Sequence, residues 1–210
     1  MPQFKHPTLI NLPEELSGPR ITLRPYREDD APQIHEAVAE SRQQLRPWVN
    51  WVDDMATLDD CRDYCLRCAA RWTLRADLSL GIFETASGRY LGGTGLHDPN
   101  WELRAFEIGY WVRQSAANHG YATEAVRVLA QFALSDLDAR RIEITCDADN
   151  HASRRVAERA GFTLEGTLRN TVLGQEGNLK DSLVYSIIPE DQEKRDQGAV
   201  NAPNALPARP

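Results

Sequence analysis

Segments with a two-residue apolar period and segments with a helical period alternate along this 210-residue chain, and their order is what most limits its fold. Ile21 to Tyr26 alternates apolar and polar residues and stops at a proline-containing turn, as a strand does. Glu28, Asp29 and Asp30 introduce a helix with Ile34, Ala37 and Val38 at helical spacing, which ends before Pro47. Thr57, with Asp60 three residues on, has the form of a capping box opening a second helix striped by Leu58, Cys61, Cys65, Cys68, Ala69 and Trp72. Strand patterns follow at Leu78–Glu84, Tyr90–His97 and Phe106–Val112, the last after a loop around Pro99 and Asn100. Ala122, Ala125, Val126, Leu129, Phe132 and Ala133 predict a third long helix, and Ile142–Cys146 a short strand. A short helix over Asn150–Ala160 meets Gly161 where a left-handed cap belongs. Two strands, about Phe162–Leu173 and Leu179–Ile188, flank a turn at Gln175 to Asn178. This order excludes a helical bundle or a β sandwich and predicts one mixed α/β (α+β) domain.

A chain of this length that is 41% hydrophobic can bury one sizeable core. It has no run of about 18 apolar residues, and Met1 to Pro13 lacks the basic-then-apolar order of a signal peptide. Cys61, Cys65, Cys68 and Cys146 are too few and too clustered for a secreted disulfide framework, so a cytoplasmic protein with no membrane partner is expected. A net charge of -7 without a basic face argues against nucleic acid and mildly favours a cationic partner. Residues 1–19 read as an N-terminal extension, 20–188 as the domain, and 189–210, rich in Pro, Ala, Asn and charge, as a disordered tail.

Two stretches carry chemistry. In the first, the strand Glu107-Ile108-Gly109-Tyr110-Trp111-Val112 leads through a loop into Asn118-His119-Gly120-Tyr121-Ala122-Thr123-Glu124-Ala125. A glycine-containing turn into a helix offers free N–H groups and a positive dipole end to a pyrophosphate; it also suits a helix that is merely well capped. The second is Asn150-His151-Ala152-Ser153, running on to Ala160-Gly161-Phe162. Together they resemble the two central motifs of the GNAT superfamily. Leu45-Arg46-Pro47-Trp48-Val49-Asn50-Trp51 and Glu165-Gly166-Thr167-Leu168-Arg169 are similar to the Rim-type branch, which includes ribosomal-protein N-terminal acetyltransferases. The resemblance covers about Arg20 to Ile188.

It implies a central twisted, mostly antiparallel sheet flanked by helices, with acetyl-CoA as cosubstrate and no metal. Acetyl would pass directly to an amine, a peptide N-terminus or a small molecule, in a ternary complex. Ala117, Asn118, His119, Gly120, Tyr121, Ala122 and Thr123 fall on the pyrophosphate loop; Ala117 replaces the usual Gln or Arg, and Asn118 replaces a common Gly. Backbone near Trp111 and Val112 would hold the pantetheine arm in a splayed gap beside their strand. Ser153 would assist the departing thiolate, or serve only as a first-turn hydroxyl bonding backbone. Asn150 would be structural or would bond the pantetheine amide. Glu107 is placed to take the ammonium proton, or is a solvent-facing strand-end carboxylate. A carboxylate that some relatives carry further on aligns with Val172, so that base is absent.

Trp48 and Trp51 would line an acceptor pocket or anchor their loop. His97, His119 and His151 fit no standard metal set, and the helix cysteines read as core. A CoA-binding module that does not turn over is the rival reading, motivated by Ala117, Asn118 and Val172. The acceptor's identity and a homodimer stay open.

Overall fold

Local signals set the elements in this computed structural model, which describes residues 5–174 and 177–191. The second helix, α2 (Leu58–Leu74), opens on the expected capping box: the Asp60 N–H donates to Thr57 Oγ1 at 3.2 Å, and the Thr57 N–H donates back to Asp60 Oδ2 at 2.8 Å. Such a cap contributes about 1 kcal/mol. Its cysteines are core: Cys61, Cys65 and Cys68 are buried, and burial pushes the thiols of Cys61 and Cys65 up to about 11 and 12. α1 (Ala31–Leu45) follows a single 3-10 turn at Glu28–Asp30 and buries Ile34, Ala37 and Val38.

The strands form one eight-stranded sheet in the order β1-β2-β3-β4-β5-β6-β8-β7. They are β1 (Leu16–Ser17), β2 (Ile21–Pro25), β3 (Leu78–Glu84), β4 (Tyr90–Asn100), β5 (Ala105–Val112), β6 (Arg141–Asp147), β7 (Thr163–Leu173) and β8 (Leu179–Ile187). Every neighbouring pair is antiparallel except β5 and β6. β1 is too short to show a period in the sequence and lies in the segment read as an extension. β4 runs three residues past the expected end because its pairing with β5 resumes at Asn100 after an irregularity beyond His97, where Asp98 has φ 45°. Most of the expected tail, and Gln175 and Glu176 of the expected turn, lie outside the described residues.

Two apolar cores flank the sheet. α3 (Tyr121–Ser135) and α4 (His151–Ala160) pack on the face carrying Leu80, Leu96, Phe106, Ile108 and Ile144. α1 and α2 cover the other face, with Tyr26, Phe83 and Tyr90, and Trp111 packs against them. Since strand residues alternate faces, Phe106, Ile108, Tyr110 and Val112 point to the α3/α4 side, and Glu107, Gly109 and Trp111 to the α1/α2 side. No helix among the described residues is long and apolar enough to cross a membrane.

Candidate active site

β5 and β6 run together only briefly. Ala105, Phe106 and Glu107 pair with Arg141, Ile142 and Glu143, and past that rung β5 continues to Val112 without β6 as partner. A cleft of about 1120 Å³ opens here, lined on β5 by Glu107 to Val112, on β6 by Ile144 to Asp147, and on α4 by His151, Ala152, Ser153 and Val156. Trp48, Trp51, Ala122, Asn150 and Val172 also line it. The structure thus gathers Glu107, Trp111, Val112, Ala122, Asn150, Ser153, Trp48 and Trp51 around one space.

Ser153 is not the cap of its helix. That duty falls to Asn150, whose Oδ1 accepts the Ser153 N–H at 3.0 Å. The Ser153 hydroxyl is 2.8 Å from the Tyr110 hydroxyl, which also donates to the Ser153 carbonyl at 3.0 Å. Burial raises the Tyr110 phenol, more than its bond to Ser153 lowers it, so Tyr110 stays a neutral phenol beside the serine hydroxyl. Tyr110 sits inside the quoted motif, yet its role depends on α4 coming to rest over β5, which no local pattern announces.

On the opposite face the site is acidic. Glu107 has its carboxyl raised by burial and then by Glu143 and Asp98, against smaller lowering by His97 and the backbone of Thr145. His97 stands across from Glu107 on β4 and bonds Asp77 through Nδ1 at 2.8 Å. It is a strand histidine, as the pattern over Tyr90–His97 predicts. Trp51 packs against Trp111 with ring centroids 5.5 Å apart, whereas Trp48 is 40% exposed at the cleft and has the Lys180 ammonium 5.5 Å from its ring. Trp51 therefore anchors its loop through Trp111 while remaining in the wall.

The loop before α3 lies at the other end of the gap. Asn118 (φ 63°) and Gly120 (φ 83°) are both left-handed just before α3, a backbone form that suits an anion-binding turn. Ala117 and His119 are tied by His119 Nδ1 at 2.8 Å from the Ala117 carbonyl, Tyr121 donates to Glu84 at 3.1 Å, and Thr123 is buried beneath them. A cation that the sequence reading missed stands here. Arg20 donates to the His119 carbonyl at 3.0 Å and to Glu124 at 2.8 Å, with its guanidinium 4.8 Å from the Tyr121 ring centre.

Residues 20–163 match the family model described as an acetyltransferase (GNAT) domain. The chain belongs to the GNAT acetyltransferase family. Among curated GNAT relatives it is 29% identical over 177 residues to the Bacillus subtilis (strain 168) protein named "Putative ribosomal N-acetyltransferase YdaF", covering 82% of this chain and 93% of that one. The ribosomal-protein-serine acetyltransferase of Escherichia coli (strain K12) is 40% identical over a shorter 63 residues, 30% of this chain and 35% of that one. In fold it is similar to RimL, a ribosomal L7/L12 alpha-N-protein acetyltransferase solved with coenzyme A (24% identity, TM-score 0.77, 83% and 98% covered). It is likewise similar to the microcin C7 self-immunity acetyltransferase MccE solved with acetyl-CoA and AMP (23%, TM-score 0.75, 81% and 93% covered).

Proposed function

We propose that this protein moves an acetyl group from acetyl-CoA directly onto a primary amine, with the α-amine of a protein N-terminus as the favoured acceptor. The observation that carries this reading is the opened β5/β6 rung. It joins a hydroxyl pair on one face, Tyr110 and Ser153, to an acidic cluster around Glu107 on the other. A thioester carbonyl lying along β5 would find backbone N–H donors at the strand edge, and fixed donors aimed at a developing oxyanion stabilise the transition state. Sulfur would leave on the α3/α4 side, where Ser153 can turn its hydrogen toward the anion while the Tyr110 hydrogen swings from the Ser153 carbonyl to the Ser153 hydroxyl oxygen. The ammonium would arrive on the α1/α2 side, between Trp48, Trp51 and Glu107, where the carboxylates favour its charge and the site takes its proton.

The left-handed loop Ala117–Thr123 and the first turn of α3 would hold the pyrophosphate, with Arg20 supplying a cation on the loop where Ala117 has none. An α-amine, with a pKa of about 7.7 to 8.0, leaves a far larger neutral fraction at physiological pH than a lysine near about 10.4. The names of the relatives that act on ribosomal-protein termini support the same acceptor class. Residues 20–188 form the catalytic domain in this reading, working in the cytoplasm, with the segments before and after it dispensable for chemistry. The test is thiol release from acetyl-CoA with a Ser-initiated peptide, an Ala-initiated peptide and spermidine. Release with the peptides above background hydrolysis supports the reading. Calorimetric CoA binding without thiol release for any amine would leave a CoA-binding module in its place.

A further inference from the structure

The His97 ring lies beside a rung stripped of side chains. Gly95 and Gly109 pair across β4 and β5 on the face that His97 and Glu107 share. A Cβ at Gly95 would stand 2.9 Å from the imidazole Cε1, and one at Gly109 would stand 3.0 Å from both Cδ2 and Nε2. At Gly109 those two atoms are all that such a Cβ would meet within 4 Å, so the glycine clears space for this edge of the ring. Behind the ring, Nδ1 is 2.8 Å from Asp77 Oδ2. Burial acts to raise Asp77, but its hydrogen bond and charge interaction with His97, the bond from Ser79 and the charge of Arg71 together outweigh it and hold the carboxyl below its ordinary range. An ionised carboxylate only accepts, so Nδ1 carries the hydrogen, and in the neutral ring Nε2 would present its lone pair over Gly109 in the cleft. A histidine that merely packs needs neither a bare rung beneath it nor an open nitrogen in front of a buried carboxylate.

Resting on the acetyl-transfer reading, we infer that His97 is the group that takes the proton from the acceptor ammonium, with Asp77 and Gly109 as its positioning residues and Glu107 as the ammonium's electrostatic partner. The ammonium gives one proton to His97 Nε2, which passes it to water. The neutral nitrogen then attacks the thioester carbon, the carbon–nitrogen bond forms and the carbon–sulfur bond breaks. The second proton lost from nitrogen is balanced by the one gained at sulfur through Ser153, so each turnover yields amide, thiol and one free proton. The charged groups around the ring are Asp77 and Arg71 behind it and Glu107 across from it, with Asp98 and the Glu143–Arg141 pair beyond Glu107.

The experiment is the pH dependence of kcat/KM for the Ser-initiated peptide in four proteins: wild type, His97→Gln, Gly109→Ala and Glu107→Gln. Loss of a general base lowers the rate about a hundredfold or more at neutral pH. His97→Gln is expected to show that loss and to trade the wild-type acid limb for one set by the free amine, recovering as rising pH deprotonates it. Gly109→Ala, with His97 still present but its Nε2 edge displaced, should show the same change in profile at unchanged CoA affinity. Glu107→Gln should raise KM and keep the acid limb. A His97→Gln profile that overlays wild type, or an acid limb abolished only by Glu107→Gln, overturns the assignment while leaving acetyl transfer intact. A wild-type protein that releases no thiol with any amine overturns both.

Discussion

The Tyr110 hydroxyl lies 2.8 Å from Ser153 Oγ, and because Asn150 already caps α4, the serine oxygen is free of any duty to its own helix. Ser153→Ala should therefore lower kcat roughly tenfold to several hundredfold, which corresponds to about one to a few kcal/mol of transition-state interaction. CoA affinity and melting temperature should barely change. Asn150→Ala is the contrasting variant, costing about 1 kcal/mol of stability through the lost cap. Turnover and thermal melts on the same preparations check both, and a Ser153→Ala protein with normal turnover removes Ser153 from the chemistry.

At the loop, Gly120→Glu sets a side chain and a negative charge in the proposed anion-binding turn, at a left-handed position only glycine adopts easily. CoA binding should be lost with the fold retained. Arg20→Gln should weaken CoA roughly tenfold, equal to about 1.4 kcal/mol, and should reduce the salt dependence of binding. Calorimetry at two salt concentrations reads both effects. Unchanged affinity in Arg20→Gln would mean that Glu124 fully neutralises this cation.

Glu107 titrates above the ordinary range, chiefly through burial and the carboxylates beside it, so its ionised form is disfavoured in the folded state. Its contribution to stability is intact below the unfolded carboxylate range and is lost as pH rises through the raised folded value. Glu107→Gln should accordingly melt higher than wild type at neutral pH, and the difference should close as pH falls below about 4, where the unfolded carboxyl is also protonated. Melting curves from pH 4 to 8 test this, and a variant less stable at pH 7 contradicts it.

Glu40 behaves in the opposite sense. Its bond to the buried Arg113, at 2.5 Å, and those from Ser115 outweigh burial and hold the carboxyl at about 2. Stability from this pair is present above the unfolded value near about 4.3 and disappears as pH falls toward 2. Glu40→Gln should cost about 1–3 kcal/mol at pH 7 and progressively less on acidification. Chemical denaturation at pH 7 and pH 3 measures the gap. Because Arg113 and Ser115 immediately precede the loop, the variant should also bind CoA more weakly.

What could be read from the sequence was local or periodic. The Thr57–Asp60 cap, the Gly161 terminus at φ 87° and the strand and helix order depend on residues within a few positions of one another. The splayed rung and the loop were legible through the resemblance of two motifs. The Asp77–His97 pair and the Arg20–Glu124 pair were not, since they join residues 20 and 104 positions apart that come together only through the β3/β4 register in the first case and the seating of α3 beside the start of β2 in the second. Tyr110 was quoted but given no role, because alternation says which face it takes and not what packs there. Trp51 carries both readings offered for it, being loop anchor and cleft wall at once.

The brevity of the β5/β6 pairing, three residues at Ala105–Glu107, leaves the edge of Ile108–Val112 as an incomplete ladder. A ligand that bonds this edge takes over the work of a strand segment the chain does not supply. Acetyl-CoA would then be reagent and building material together: the concentration of coenzyme around each molecule would set how long it resists proteases as well as how fast it works.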